Sequence, residues 1–256
     1  MTRADRLYVA AVIVAALAFS SAPYICGYLA QTGDMRFSGA VFDLPDYYSH
    51  LAKMQQGARG EWEYHLLFTP EDHTGAYLQT FYVALGQLAR VTGLALPLIY
   101  QLARLAGGVL ALLAVWRFVS ALTPSRPVRR LALWLVAFSS GLGWLMQFVA
   151  PAGPEGVSAI DFWLIDAYMF FSILTFPHFT FAVAILLEGL ARWLRENLAW
   201  HAVALIAAMD FVLGLIHPYA LLLALLIPAL YAALGMWQRR RVAWQIIWFD
   251  RPPGKP

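Results

Sequence analysis

The stretch LYVAAVIVAALAFSSAPYICGYL, residues 7–29, decides the fold. It carries no Asp, Glu, Lys or Arg, and as a helix it is long enough to cross the roughly 30 Å hydrocarbon core of a bilayer. A soluble core needs no such run. Further apolar segments follow at about residues 75–92, 97–122, 128–149, 170–193, 199–216 and 218–237. Of the 256 residues, 61% are hydrophobic and only 13% are charged. The mean hydropathy of +0.62 lies far above that of an ordinary soluble domain.

The first run follows a short basic start, Met1 to Arg6, as the core of a signal peptide does. Apolar residues continue past Cys26, however, and Pro23 and Tyr24 stand where a cleavage site needs small residues. The segment is expected to remain as an uncleaved anchor. Cys26 is the single cysteine, so no intrachain disulfide forms. The net charge of +3 comes mostly from arginines beside the apolar runs. That distribution suits loops at a cytoplasmic face and argues against a nucleic-acid surface.

Counting arginines sets the topology. If every segment crossed from a cytoplasmic N-terminus, the clusters Arg126/Arg129/Arg130, Arg192/Arg195 and Arg239/Arg240/Arg241 would all lie outside, against the positive-inside rule. If residues 75–92 do not cross, the clusters fall inside, and the acidic loops at 30–74 and 151–169 fall outside. Segment 75–92 is also the weakest span, with Gln79, Gln87 and Arg90 sharing one helical face. It is expected to lie in the outer interface. A second interfacial helix is expected over 46–56, where Tyr47, Leu51, Met54 and Ala58 recur on one side. Asp43-Leu-Pro-Asp46 reads as its start, and Gly57 and Gly60 as its stop. The predicted fold is an all-α polytopic membrane protein with about six transmembrane helices and two interfacial helices in the first outer loop, residues 30–96. The transmembrane module covers residues 1–237. A basic, Trp-rich cytoplasmic tail occupies 238–256, and both termini are cytoplasmic.

Several polar residues stand out against this background. Asp46, at the start of an interfacial helix, is stabilised as an anion by the helix dipole. It reads either as a cap or as a proton acceptor. Arg104 lies about 10 Å below the outer surface at 1.5 Å per residue, where a guanidinium faces a cavity, a phosphate or a structural partner, or snorkels to the headgroups. The second outer loop supplies Glu155, Asp161 and Asp166, and His178 follows at the top of the next span. A carboxylate and an imidazole there would form an acid/base or substrate-orienting pair, or remain solvated loop residues. Asp210 and His217 share a face of one helix, with Asp210 inside the membrane and expected to make an interhelical hydrogen bond. Glu188 and Arg192 are spaced as an i,i+4 ion pair. No Walker loop, dinucleotide fingerprint or nucleophile elbow is present, and the six histidines show no metalloprotease spacing.

This layout resembles the GT-C superfamily of integral-membrane glycosyltransferases. Asp46-Tyr-Tyr-Ser-His-Leu-Ala-Lys-Met54, followed by Gly57, is similar to the first juxtamembrane helix of that family, and Asp46 falls at the position of its catalytic aspartate. Glu71-Asp-His-Thr-Gly-Ala-Tyr77 and the run to Gly86 look like the second helix, as found in bacterial aminoarabinose and protein mannosyl transferases. Tyr100-Gln-Leu-Ala-Arg104-Leu-Ala-Gly is similar to the Arg-bearing opening of the next span. Asp161, Asp166 or His178 matches the second acidic position. The likeness covers about residues 7–193. It implies a lipid-linked donor, a sugar on polyprenyl phosphate, with its phosphate near Arg104 and its tail among membrane lipids. Asp46 would act as general base, with Asp161, Asp166, His178 and His217 binding substrate. The resemblance places the chain in a bacterial cytoplasmic membrane. No cofactor is expected. A lone Asp46 without an acidic neighbour two residues away points to a metal-independent reaction, with a divalent metal as the alternative. Family members are longer, so the resemblance also implies a missing C-terminal part or a partner subunit. Two other readings compete: a non-catalytic assembly subunit or truncated relic of such an enzyme, and a transporter whose polar residues line a path through the bilayer.

Overall fold

The computed structural model describes residues 1–77, 79–149, 159–194 and 199–239. Glu155, Arg195, Arg240, Arg241 and nearly all of the expected tail lie outside those residues. The described residues are all-helical: α1 (Arg3–Leu29), α2 (Leu44–Ala58), α3 (Thr80–Thr92), α4 (Leu96–Leu122), α5 (Arg126–Ala137), α6 (Gly143–Val149), α7 (Met169–Leu174), α8 (Pro177–Trp193), α9 (Trp200–Ile216) and α10 (Pro218–Arg239). Among the described residues, three helices are long and apolar enough to cross a membrane: α1, α4 and the Pro218–Trp237 part of α10. Helix α9 is apolar but shorter. Leu7, Val14, Phe19 and Ile25 on α1, and Leu222, Leu226 and Leu230 on α10, point away from the protein. Hydrocarbon, unlike water, leaves such faces without penalty.

Two expected continuous helices are broken, and each break has a local cause. Segment 128–149 divides into α5 and α6 around Gly141, whose φ of +70° no helix interior accepts. Ser139 in the gap accepts from the Phe170 amide at 3.1 Å through its carbonyl. Its hydroxyl accepts from the Met169 amide at 3.0 Å, so the gap is stitched to the start of α7. Segment 170–193 divides into α7 and α8 because Pro177 has no N–H and holds Phe176 extended at φ −118° and ψ 113°. The break strands the carbonyls of Ile173, Leu174 and Thr175. Arg104 Nη1 donates to the first at 2.9 Å, the Tyr24 hydroxyl to the second at 2.6 Å, and the Tyr100 hydroxyl to the third at 3.0 Å.

Helices α2 and α3 cross at paired glycines. A Cβ on Gly57 would stand 2.0 Å from the Val83 carbonyl oxygen, and one on Gly86 would stand 2.0 Å from that of Met54. Gly57, read from the sequence as a helix stop, is thus a contact point inside α2. Gly60, at φ +101°, follows the end of the helix. The second helix starts at Thr80 rather than near residue 75, because Tyr64 and Ala76 exchange backbone hydrogen bonds of 2.9 and 3.1 Å that hold residue 76 extended.

The two ends of the bundle differ chemically. At one end Asp5, on the first turn of α1, pairs with Arg130 at 3.0 Å and Arg126 at 3.6 Å on α5. Glu188 at the same end pairs with Arg192 at 2.8 Å, as its spacing predicts, and also with Arg117 of α4 at 3.0 Å. The other end gathers tyrosines and histidines from α2, α3, α4 and α8 and from the α9–α10 junction.

Gly86→Ala is expected to destabilise the protein by about 1–3 kcal/mol through overpacking, outweighing a helix-propensity gain of roughly 1 kcal/mol. Thermal unfolding in detergent measures this. An unchanged or raised melting temperature would show that the α2–α3 crossing is looser than described.

Candidate functional site

The site is built on α2. Asp43 is its N-cap, held at φ +47°, a left-handed conformation that Asp tolerates, and its side chain accepts from the Asp46 amide at 3.4 Å. Capping therefore falls to Asp43. Asp46 stands in the first turn, exposed, and its carboxylate has no hydrogen bond or ion pair among the described residues. Partial desolvation raises its pKa above the ordinary carboxylate value, the Asp43 carboxylate raises it further, and the Lys53 ammonium opposes both.

His50 and Lys53 follow Asp46 at the spacing of one helical face. Both are buried, at 7% and 6% exposure. Lys53 Nζ donates to the Gln79 side-chain carbonyl and lies 5.4 Å from the centre of the Tyr64 ring. Burial pulls its pKa down, and Asp46 pulls it back up. The His50 ring stacks on Tyr82 of α3, with centroids 4.0 Å apart and planes within 10°. Edges of Phe176 and His178 close around it, each at 5.2 Å. Nδ1 of His50 is buried without a partner. Burial first, then the neighbouring His178 and Lys53, push the His50 pKa down to about 2, so the imidazole is neutral. The Tyr82 hydroxyl meets His178 Nδ1 at 2.6 Å. The His178 ring lies 5.9 Å from that of His217, nearly parallel at 20°.

Of the residues singled out in the sequence, Asp46, His178 and His217 come to this end of the bundle. Arg104 does not share their contacts. It is 2% exposed in α4, 4.5 Å over the Tyr24 ring. Besides the Ile173 carbonyl, it donates to Gln101 at 2.7 Å, Ser20 at 3.2 Å and Ser21 at 3.0 Å. Four of its five N–H groups are thereby spent on protein acceptors. Asp161 is buried with its carboxylate on the Gly143 amide, holding the start of α6. Asp166 is exposed on a short 3₁₀ turn. Among the described residues, no hydrogen bond, ion pair or ring contact ties either aspartate to the cluster. Asp210 makes no hydrogen bond among the described residues, contrary to expectation. It lines a cleft of about 180 Å³ between α8, α9 and α10.

The sequence reading passed over His50, Lys53 and Tyr82. The first two had a signal, since they continue the face that Asp46 begins. Tyr82 had none, because only the α2–α3 crossing carries it to His50. Among the described residues, no group of three His, Cys, Asp or Glu side chains is arranged to hold a metal ion. No protein-family model, curated protein or solved structure matches the chain. The fold and the site therefore define its class by themselves. Its described residues are all-helical, with three helices long and apolar enough to cross a membrane and a cluster of aromatic rings, imidazoles, an ammonium and a free carboxylate at one end.

His50 also makes stability depend on pH. Its folded pKa, about 2, lies below the ordinary 6.5, so between these values the unfolded chain binds the extra proton. Its contribution is complete above pH 6.5 and is lost as pH falls, by about 1.4 kcal/mol per unit. Denaturant unfolding from pH 7 to pH 5 should show this slope, reduced in His50→Phe, which keeps the stacked ring. Equal slopes in the two proteins would mean that His50 is not buried as a neutral ring.

Proposed function

We propose that this chain is a membrane-embedded glycosyltransferase, moving a sugar from a polyprenyl-phosphate donor to an acceptor hydroxyl at the outer face of a bacterial cytoplasmic membrane. The observation that carries the reading is the free carboxylate of Asp46. Its helix is capped by Asp43, it has no structural partner, and it heads a helix face that continues into a buried imidazole and ammonium. In this reading α1, α4, α5–α6, α7–α8, α9 and α10 cross the membrane, and α2 and α3 lie along its outer interface. The arginine-rich end is cytoplasmic, as the positive-inside rule requires. Residues 1–237 form one transmembrane module, followed by a cytoplasmic tail.

The chemistry is a single displacement. The acceptor O–H gives its proton to Asp46, and the oxygen attacks the anomeric carbon. The bond from that carbon to the phosphate oxygen breaks as the new bond forms, with inversion, and the phosphate leaves with the electron pair. A raised carboxylate pKa favours proton acceptance, because it brings the base nearer to working pH. Lys53 supplies positive charge close to the reacting centre. No step needs a metal ion or an organic cofactor.

A second reading rests on Asp210. A carboxylate without a partner at hydrocarbon depth is costly, and a neighbouring subunit's helix would relieve it, which fits a non-catalytic member of a membrane complex.

Membranes containing wild type or Asp46→Asn at matched expression, given radiolabelled polyprenyl-phosphate sugars, separate the two. The transferase reading expects transfer by the wild type, lowered by roughly 10²–10⁴-fold in the variant. Undiminished transfer by Asp46→Asn removes Asp46 from the mechanism. A wild type that transfers from no donor favours the assembly subunit.

Carboxamide at position 46 has a separate effect on stability. The raised pKa means that the ionised carboxylate is disfavoured in the fold, so Asp46→Asn should be the more stable protein at neutral pH. The gain should vanish as pH falls below the ordinary carboxylate value, where both states carry the proton. Melting temperatures at pH 7 and pH 3 report it. A variant less stable than wild type at pH 7 would mean that the carboxylate is held by a favourable contact.

A further inference from the structure

We infer that His178 and His217 form a two-imidazole binding site for a phosphate ester, a diester in a lipid-linked sugar donor and a monoester once the sugar has left, taking the role that the sequence suggests for Arg104. The inference rests on the transferase reading only for the lipid-linked source of the phosphate.

The tautomers follow from the partners. The Tyr100 hydroxyl gives its proton to the Thr175 carbonyl at 3.0 Å. The neighbouring Tyr82 hydroxyl meets His178 Nδ1 at 2.6 Å. Donation from this buried phenol to Nδ1 satisfies both atoms and leaves the ring proton of His178 on Nε2. His217 is biased the same way. The backbone amide of Ala220 donates to the His217 carbonyl at 3.0 Å and shares that donation with Nδ1 at 3.4 Å; a backbone N–H can only donate, so this contact favours the proton of His217 on Nε2. Both Nε2–H groups are free of hydrogen-bond partners among the described residues. The result is two neighbouring rings, 5.9 Å apart and 20° from parallel, each with a donor to offer.

The surroundings favour an anion. His178 is the second residue of α8 and His217 directly precedes α10, so two helix N-termini bring their positive ends to the pair. The buried ammonium of Lys53 faces the same cluster from α2 and acts electrostatically on His178. His50, buried and with Nδ1 unpartnered, packs on His178 at 5.2 Å and leaves an unmet polar position beside the site. The charges that oppose an anion are Asp46, on the exposed first turn of α2, and Asp210, seven residues before His217 on the same face of α9. Arg104 has four of its N–H groups committed to protein acceptors. The exposed face of α10 begins at Tyr219 and continues through Leu222 and Leu226, at 77%, 63% and 51% exposure. A lipid tail would leave the site along that face.

The test uses the full chain in phosphatidylcholine nanodiscs with a short polyprenyl phosphate, the matching polyprenol, and inorganic phosphate as probes. The expected result is that polyprenyl phosphate binds more tightly than the polyprenol. His178→Phe and His217→Phe should each weaken polyprenyl phosphate by about tenfold or more and leave the polyprenol unchanged. His178→Gln and His217→Gln keep an N–H donor and should recover part of the loss. Inorganic phosphate binding as tightly as the lipid, and sensitive to the same variants, keeps the two-histidine site and assigns it to a soluble ligand. Solid-state NMR dephasing between phosphorus and ¹⁵N-labelled histidine reads the contact without any mutation. Absence of dephasing at Nε2 with ligand bound, or wild-type affinity in both phenylalanine variants, overturns the site. Histidine-dependent binding without sugar transfer by the wild type would keep this site and remove the transferase. Sugar transfer that ignores both histidines would do the reverse.

Discussion

Three consecutive carbonyls, of Ile173, Leu174 and Thr175, lose their helical donors where Pro177 interrupts the chain, and the bundle is organised around replacing those donors. A buried carbonyl without a partner costs roughly 1–3 kcal/mol, and inside a bilayer no water can step in. The replacements come from Arg104 and Tyr100 on α4 and from Tyr24 on α1. Arg104 also binds Ser20 and Ser21 on α1, so one guanidinium joins α1, α4 and α7. An arginine in this position would be a liability by itself. Paired with stranded carbonyls, each half removes the other's desolvation cost.

The same break creates the site. By ending α7 and restarting as α8, the chain places His178 at a helix N-terminus rather than inside a continuous span. There its Nδ1 meets Tyr82, and its ring packs against His50 and His217. Tyr100 serves both structures, since its hydroxyl closes the carbonyl array while its ring packs on Tyr47 and Tyr82. The polar end is therefore an extension of the network that holds the helices together. The α2–α3 glycine crossing is the other support, since it brings Tyr82 against His50.

Charge is segregated along the bundle. At the arginine end, among the described residues, cations outnumber carboxylates, and Asp5 and Glu188 are each shared between two arginines. At the opposite end burial keeps His50 neutral, and the single buried ammonium, Lys53, has a side-chain acceptor and an aromatic wall. The exposed Asp46 is the one ionisable group of the cluster that carries no structural duty. That combination, a spare carboxylate beside fixed dipoles and a buried ammonium, suits a proton-accepting site.

Much of the fold was legible in residues 7–29, 97–122 and 218–237, because hydrocarbon demands long uncharged helical runs and few other structures produce them. The start of α2 near Asp46 and the pairing of Glu188 with Arg192 were equally legible, since capping and i,i+4 spacing act within one or two turns. What the sequence could not assign was every feature that depends on a partner distant along the chain. Arg104 read equally as a phosphate ligand or as a structural partner, and four of its donors meet Ser20, Ser21, Gln101 and Ile173. Asp161 read either as part of an acid/base or substrate-orienting pair or as a solvated loop residue, and it lies buried on the Gly143 amide. Gly57 looked like a helix stop until Val83 was seen against it. The sequence by itself determined that this is a membrane-type helical chain with an arginine-rich end and a polar end, because periodicity, length and charge are local quantities. Only the tertiary structure decided which polar groups are consumed by the fold and which remain free, because a hydrogen bond is spent or spared by whatever packing brings to it.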